Sequence, residues 1–208
     1  MVDAGTPRDR VRERCSRGAR RKYLERLAVG ATAALAGCGF GTSGAEPTVP
    51  KLALRDADAG DRFGASVALD GDVALLGAPG ADGPASRDAG TAHVFARTED
   101  GWSRQATLTA GDGGAGDRFG ASVALSGNRA LVGAWGEKRP NGELAGAAYV
   151  FARSSGTWTR EAKLAPADGG FLDKFGVSVA LDGGHALIGS KDDDPNDDAG
   201  GAAYVYEV

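Results

Sequence analysis

The segment Asp61-Arg62-Phe63-Gly64-Ala65-Ser66-Val67-Ala68-Leu69 recurs almost letter for letter at 117–125. It returns as Asp173-Lys174-Phe175-Gly176-Val177-Ser178-Val179-Ala180-Leu181, and both spacings are 56 residues. A period of this length, filled with short β-type runs and glycine turns, is one supersecondary unit copied along the chain. Such a unit cannot bury its apolar faces alone, so neighbouring copies must stack into a continuous core.

Each copy reads as four short strands. Residues 65–69 alternate, and Asp70-Gly71-Asp72 follows as a tight turn, matched by Ser126-Gly127-Asn128 and Asp182-Gly183-Gly184. Glycine and aspartate accept the positive φ that hairpin turns demand. Residues 73–78 form a second strand, 91–96 a third and 102–108 a fourth, with counterparts 129–134, 147–152 and 158–164 in the next copy. Four antiparallel strands, small residues first and bulky aromatics later, describe a propeller blade. Ala65, Ser66 and Ala68 suit a crowded inner strand; Phe95, Trp102, Phe151 and Trp158 suit the wider outer region. Phe63, Phe119 and Phe175 are expected to pack between blades, with Gly64, Gly120 and Gly176 allowing close backbone approach. The fold class is therefore all-β, a propeller-type array of about three four-stranded blades.

Phe63-Gly64 with Gly77-Ala78-Pro79, Phe119-Gly120 with Gly133-Ala134-Trp135, and Phe175-Gly176 with Gly189-Ser190-Lys191 resemble the two landmarks of the FG-GAP family. Those repeats build the β-propeller head of integrin α chains and occur in many bacterial and archaeal surface proteins. The resemblance covers roughly residues 52–208 and implies a propeller fold. Fold alone does not grant function.

The third copy ends at Val208 after its third strand, while Lys51-Leu52-Ala53-Leu54 supplies a spare one at the other end. Leu52 lies eleven residues before Phe63, as Leu108 and Leu164 precede Phe119 and Phe175. An N-terminal strand is therefore expected to complete the last blade. Three blades fall below the usual four to eight. Radial sheets about 120° apart could not pack at the usual ~10 Å. This predicts a homodimer forming a six-bladed ring, each Leu52 strand completing its partner's last blade. A monomer closing on itself and a fragment of a longer propeller are the alternatives.

Residues 1–37 hold nine Lys/Arg against four Asp/Glu, whereas the remainder holds 15 against 24. An acidic body argues against nucleic acid, which needs a clustered basic surface. Arg20-Arg21-Lys22 precedes a mild apolar run at 27–36, too short and too rich in Ala and Gly for a permanent bilayer span. Basic residues, a modest apolar stretch and then small residues make an export signal. Arg20 and Arg21 resemble the twin-arginine motif, and Leu35-Ala36-Gly37-Cys38 resembles a lipobox in which Cys38 is lipidated. The expected organisation is a signal at 1–37, a flexible tether at 38–50 and repeats at 51–208. Within the last, 51–60 is the closing strand and loop, 61–116 the first repeat, 117–172 the second and 173–208 the third. Localisation at the outer face of the membrane follows as an expectation. Cys15 would leave with the leader, and the repeats have no cysteine.

The family's calcium loop between first and second strands is absent here, because those turns are too short to gather six to eight oxygens. A different loop carries Asp192, Asp194, Asn196 and Asp198 at alternate positions. It reads either as a solvated acidic rim or as a calcium site. Asp56, Asp112 and Asp168, like Asp61, Asp117 and Asp173, recur in every copy, which points to turn capping. His93 aligns with Tyr149 and Tyr204 as a packed aromatic, and His185 lies beside a turn. Neither has the Ser, Cys or paired carboxylates that nucleophilic or acid–base catalysis needs. Trp135 breaks the symmetry, standing where the other copies have Pro79 and Lys191; it reads either as a cover for its own loop or as the candidate partner or ligand contact. The resulting expectation is a non-catalytic, lipid-anchored surface propeller that binds a protein or glycan. The alternative is an enzyme or carbohydrate-binding module acting on extracellular polysaccharide.

Overall fold

The computed structural model describes residues 50–83, 86–138, 144–166, 170–193 and 200–208. The described residues belong to one compact unit, 49–208, and form eleven strands. These are β1 (Ser66–Asp70), β2 (Val73–Ala78), β3 (Thr91–Thr98), β4 (Gly101–Leu108), β5 (Ser122–Ser126), β6 (Arg129–Ala134), β7 (Ala147–Ser154), β8 (Thr157–Leu164), β9 (Phe175–Asp182), β10 (His185–Ser190) and β11 (Ala202–Glu207). They pair in chain order into antiparallel sheets β1–β4 and β5–β8, with a three-stranded sheet of β9, β10 and β11.

The repeat is kept down to its irregularities. β3 and β4 slip register between Val94 and Phe95, and β7 and β8 do so between Val150 and Phe151. The first hairpin of each sheet turns on a glycine at the first loop position, Gly71, Gly127 or Gly183, with φ of 56–57°. A left-handed residue there gives the turn the same twist as its strands. β2, and β6 from Ala130 onward, are continuous apolar runs because both their faces are covered, so no alternation survives in them.

The sheets fan out from their first strands. β1 approaches β5 and β5 approaches β9, while the outer strands β4 and β8 barely meet. Small residues are needed where the blades converge. The Gly120 carbonyl lies against Gly77 of the preceding blade and accepts a hydrogen bond from Ser66 Oγ at 2.7 Å. Gly176, Gly133 and Ser122 repeat the arrangement, again at 2.7 Å. A Cβ at Gly77 or Gly133 would collide with that carbonyl. Gly120 and Gly176 of the second and third Phe-Gly landmarks therefore seat on Gly77 and Gly133 of the preceding blades.

Phe119 and Phe175 are fully buried between blades, as expected from the sequence. Phe119 stands edge-on to Tyr149 and Phe151 at 5.4 and 5.9 Å, and closes a core that includes Leu75, Val94 and Leu108 from the first blade. Phe175 meets Tyr204 and Tyr206 and joins Leu131 and Val150 of the second. Edge-to-face ring pairs add about 0.5–1.5 kcal/mol beyond burial.

The N-terminal strand expected to complete the last blade does not do so within one chain. Among the described residues the third sheet has three strands. Residues 51–54 form no strand; Leu52 and Leu54 pack instead with Phe63, Leu76 and Phe95 on the first blade. Leu52 thus holds against Phe63 the place that Leu108 holds against Phe119. The twelfth strand is missing because β11 and Leu52 lie at opposite ends of an open array.

Candidate functional site

The residue before each Phe-Gly landmark forms one row along the loop rim. Arg62, Arg118 and Lys174 have φ of 56°, 59° and 57°, a left-handed conformation that non-glycine residues seldom adopt. The preceding aspartates fix these turns. Asp61 accepts the Asp58 amide at 2.8 Å, Asp117 the Gly114 amide at 2.5 Å, and Asp173 the Gly170 amide. Turn capping, inferred from their recurrence, is what these three carboxylates do. Asp56 and Asp112, expected from the same recurrence to cap turns, form ion pairs instead. They bind the guanidinium groups of Arg104 and Arg160 at 3.1 and 2.8 Å, tying a loop to an outer strand. Asp168 lies outside the described residues.

Each cation of the row has a different neighbour. Arg118 stacks over the ring of half-buried Trp135, its guanidinium carbon 4.5 Å from the ring centre. Lys174 forms an ion pair with Asp192. Arg62 borders an open cavity of about 220 Å³, together with Pro79, Gly80, Asp88 and Arg118. Arg118 therefore touches both the cavity and Trp135. The backbone row is periodic and the side chains on it are not, which is how a repeat scaffold carries a specific surface.

The second blade also holds a polar cluster with no counterpart in the first. Lys163 bridges Glu137 at 2.5 Å and Asp112 at 3.0 Å, and its ammonium lies 5.4 Å from the centre of the Tyr149 ring. Burial alone would lower the Lys163 ammonium, but its hydrogen bonds to Glu137 and Asp112 outweigh this and hold it above the usual lysine range. Burial raises Glu137, and Lys163 only partly offsets it. Partial burial pushes Asp112 upward, yet Lys163 and Arg160 bring it below the usual carboxylate range. Burial also raises the Tyr149 hydroxyl, and Glu137 raises it further. All these charges are committed to one another, so the cluster pins the loops of the second blade together. The signal for it in the sequence was Glu137 and Lys163 standing where the first repeat has Ala81 and Thr107. Their pairing across 26 residues is not legible from that substitution.

His93 occupies the aromatic position of Tyr149 and Tyr204, 5.7 Å from Phe63. Its ring nitrogens lie 2.9 Å from Thr91 Oγ1 and 3.2 Å from Thr107 Oγ1. Of the acidic loop, Asp192 is held by Lys174, and Asp193, buried, accepts the Tyr204 hydroxyl at 2.6 Å. Asp194, Asn196 and Asp198 lie outside the described residues, as do Arg20, Arg21, Cys15 and Cys38. Among the described residues no group of three or more His, Cys, Asp or Glu side chains gathers as a metal site.

Antiparallel four-stranded blades fanning from a shared inner seam, with a variable loop rim, define a β-propeller-type repeat protein. The FG-GAP repeat model matches residues 48–95, 102–151 and 158–206, and the chain belongs to that family. The matched units are offset from the blades: the second begins in β4 and the third in β8, each ending in the third strand of the next sheet. Comparison with curated proteins gives no match.

Proposed function

We propose that the chain is a non-catalytic, exported, lipid-anchored cell-surface propeller that holds a protein or glycan partner on its loop rim. FG-GAP repeats occur in adhesion and propeller proteins, and the leader with Cys38 supplies the anchor. The observation that carries the reading is the Arg118–Trp135 stack beside the Arg62 and Asp88 cavity. An aromatic face next to a guanidinium gives a large contact area at little entropic cost, and it orients hydroxyl or carboxylate groups. The same pair favours one second reading, a carbohydrate-binding or polysaccharide-acting module. Glycan arrays and surface-protein extracts, probed with the parent chain, Trp135→Ala and Arg118→Ala, test both. Loss of at least about tenfold in affinity from either substitution supports the rim. Retention on glycans alone selects the carbohydrate reading. Unchanged binding by both variants refutes the rim assignment.

A further inference from the structure

The outermost faces of the array are each other's missing partners. Leu75 and Leu131 occupy the same place in successive blades and are 0% exposed, as are Val94 and Val150. Their counterparts in the third blade, Leu187 and Val205, are 44% and 67% exposed. At the other end Val67 and Leu69 of β1 are 67% and 68% exposed, whereas Val123 and Leu125 at the same positions of β5 pack into the core between blades. One end of the chain thus presents a surface that twice receives a following blade, and the other presents the surface that is twice received.

The polar contacts of the seam agree. Ser66 Oγ donates to Gly120 O and Ser122 Oγ to Gly176 O, and the next pair in this series is Ser178 with Gly64. Asp70 accepts the Gly127 amide at 2.6 Å and Ser126 accepts that of Gly183 at 3.1 Å, and the next pair is Asp182 with Gly71. The Phe119 amide donates to Ala89 O at 2.8 Å and the Phe175 amide to Ala145 O at 3.1 Å, leaving Phe63 for Gly200. Among the described residues none of these six end groups has a hydrogen-bond partner. An added Cβ at Gly120 or Gly176 would strike the preceding blade, but one at Gly64 meets nothing within 4 Å.

We propose that the β9–β11 face of one chain binds the first blade of a second copy, repeating the seam already formed twice inside each chain. Ser178, Asp182 and Gly200 receive Gly64, Gly71 and Phe63 of the second copy. Its Leu52 lies beside β11 opposite Ala203, as Leu108 lies opposite Ala92 in β3. The family's repeat register agrees, since its first unit begins at 48 as the others begin within β4 and β8. The contact is heterologous; two of them close a pair of chains into six blades, and the open edge of β11 is paired.

The experiment is the mass of the purified, unlipidated full-length chain by light scattering at tens of micromolar. The parent is expected at twice the mass of one chain. Leu187→Glu with Val205→Glu damages only the receiving face, and Val67→Glu with Leu69→Glu only the inserted one. Each double variant alone should run at single-chain mass, and an equimolar mixture should regain the double mass through its one intact contact. Circular dichroism and the urea midpoint verify that both remain folded, as substitutions at exposed positions should. Gly189→Ala, which places a methyl where the Gly64 carbonyl of the second copy would seat, should weaken association at least tenfold. A parent chain of single mass, double variants that keep the double mass, or a mixture that stays single while the parent is double would each overturn the proposal.

Discussion

Substituting Gly133 by alanine tests the seam directly. The methyl would sit on the Gly176 carbonyl and beside Ser122 Oγ, both in the close contact that joins the second and third blades. Backbone opposes backbone there, so relief requires the blades to part. Overpacking of this kind costs about 1–3 kcal/mol. Parting also breaks the buried 2.7 Å Ser122–Gly176 bond, worth about 1 kcal/mol, and strands the carbonyl at a further ~1–3 kcal/mol. The sum, about 3–7 kcal/mol, is a large share of a typical domain stability of about 5–15 kcal/mol. It corresponds to a Tm drop on the order of 10 °C for a body of this size.

Gly189 provides the internal control. It occupies the same motif position, but the three atoms nearest its Cβ would all belong to Ser178 (Oγ, then Cβ at 3.6 Å and O at 3.7 Å) rather than to the carbonyl of a following blade. The serine hydroxyl can rotate away, so Gly189→Ala should cost under about 1 kcal/mol in the single chain. Urea denaturation of both variants, at concentrations where the chain is monomeric, measures the difference. Equal costs within about 0.5 kcal/mol would refute the claim that landmark glycines exist to admit the neighbouring blade's carbonyl.

Two further outcomes can be stated. His93 titrates below its ordinary 6.5, chiefly because burial disfavours the imidazolium and secondarily through Arg104, with Asp56 and Asp61 opposing. Between 6.5 and the folded value the unfolded chain binds a proton that the native chain does not, so stability is fully present above 6.5 and declines as pH falls through this window. Relative to His93→Tyr, which restores the residue type of the other blades, the parent's Tm should fall between pH 8 and 5; a constant gap would contradict this. Cys38→Ser should move the exported protein from the membrane fraction to the medium, measured by fractionation, and a variant that stays membrane-bound would remove the lipid anchor from the proposed function.

The 56-residue period, the hairpin glycines, the strand order within a blade and the capping role of Asp61, Asp117 and Asp173 could all be read in the sequence. Each is a local property, set by turn chemistry and by apolar patterning over a few residues. The burial of Phe119 and Phe175 was legible for the same reason, since recurrence of an aromatic beside glycine marks a shared seam. Other features needed the tertiary structure. Gly120 meets Gly77 across 43 residues, Lys163 bridges Asp112 and Glu137, and Arg118 selects Trp135. No pattern along the chain specifies these pairs; the angle between adjacent sheets does. Leu52 shows the division best. Its sequence spacing identified it as the end of a blade's fourth strand, but only the fold shows that it packs against Phe63 and is out of reach of β11 in the same chain. A repeat fixes what each unit can contact, and the direction of stacking decides which neighbour supplies the contact.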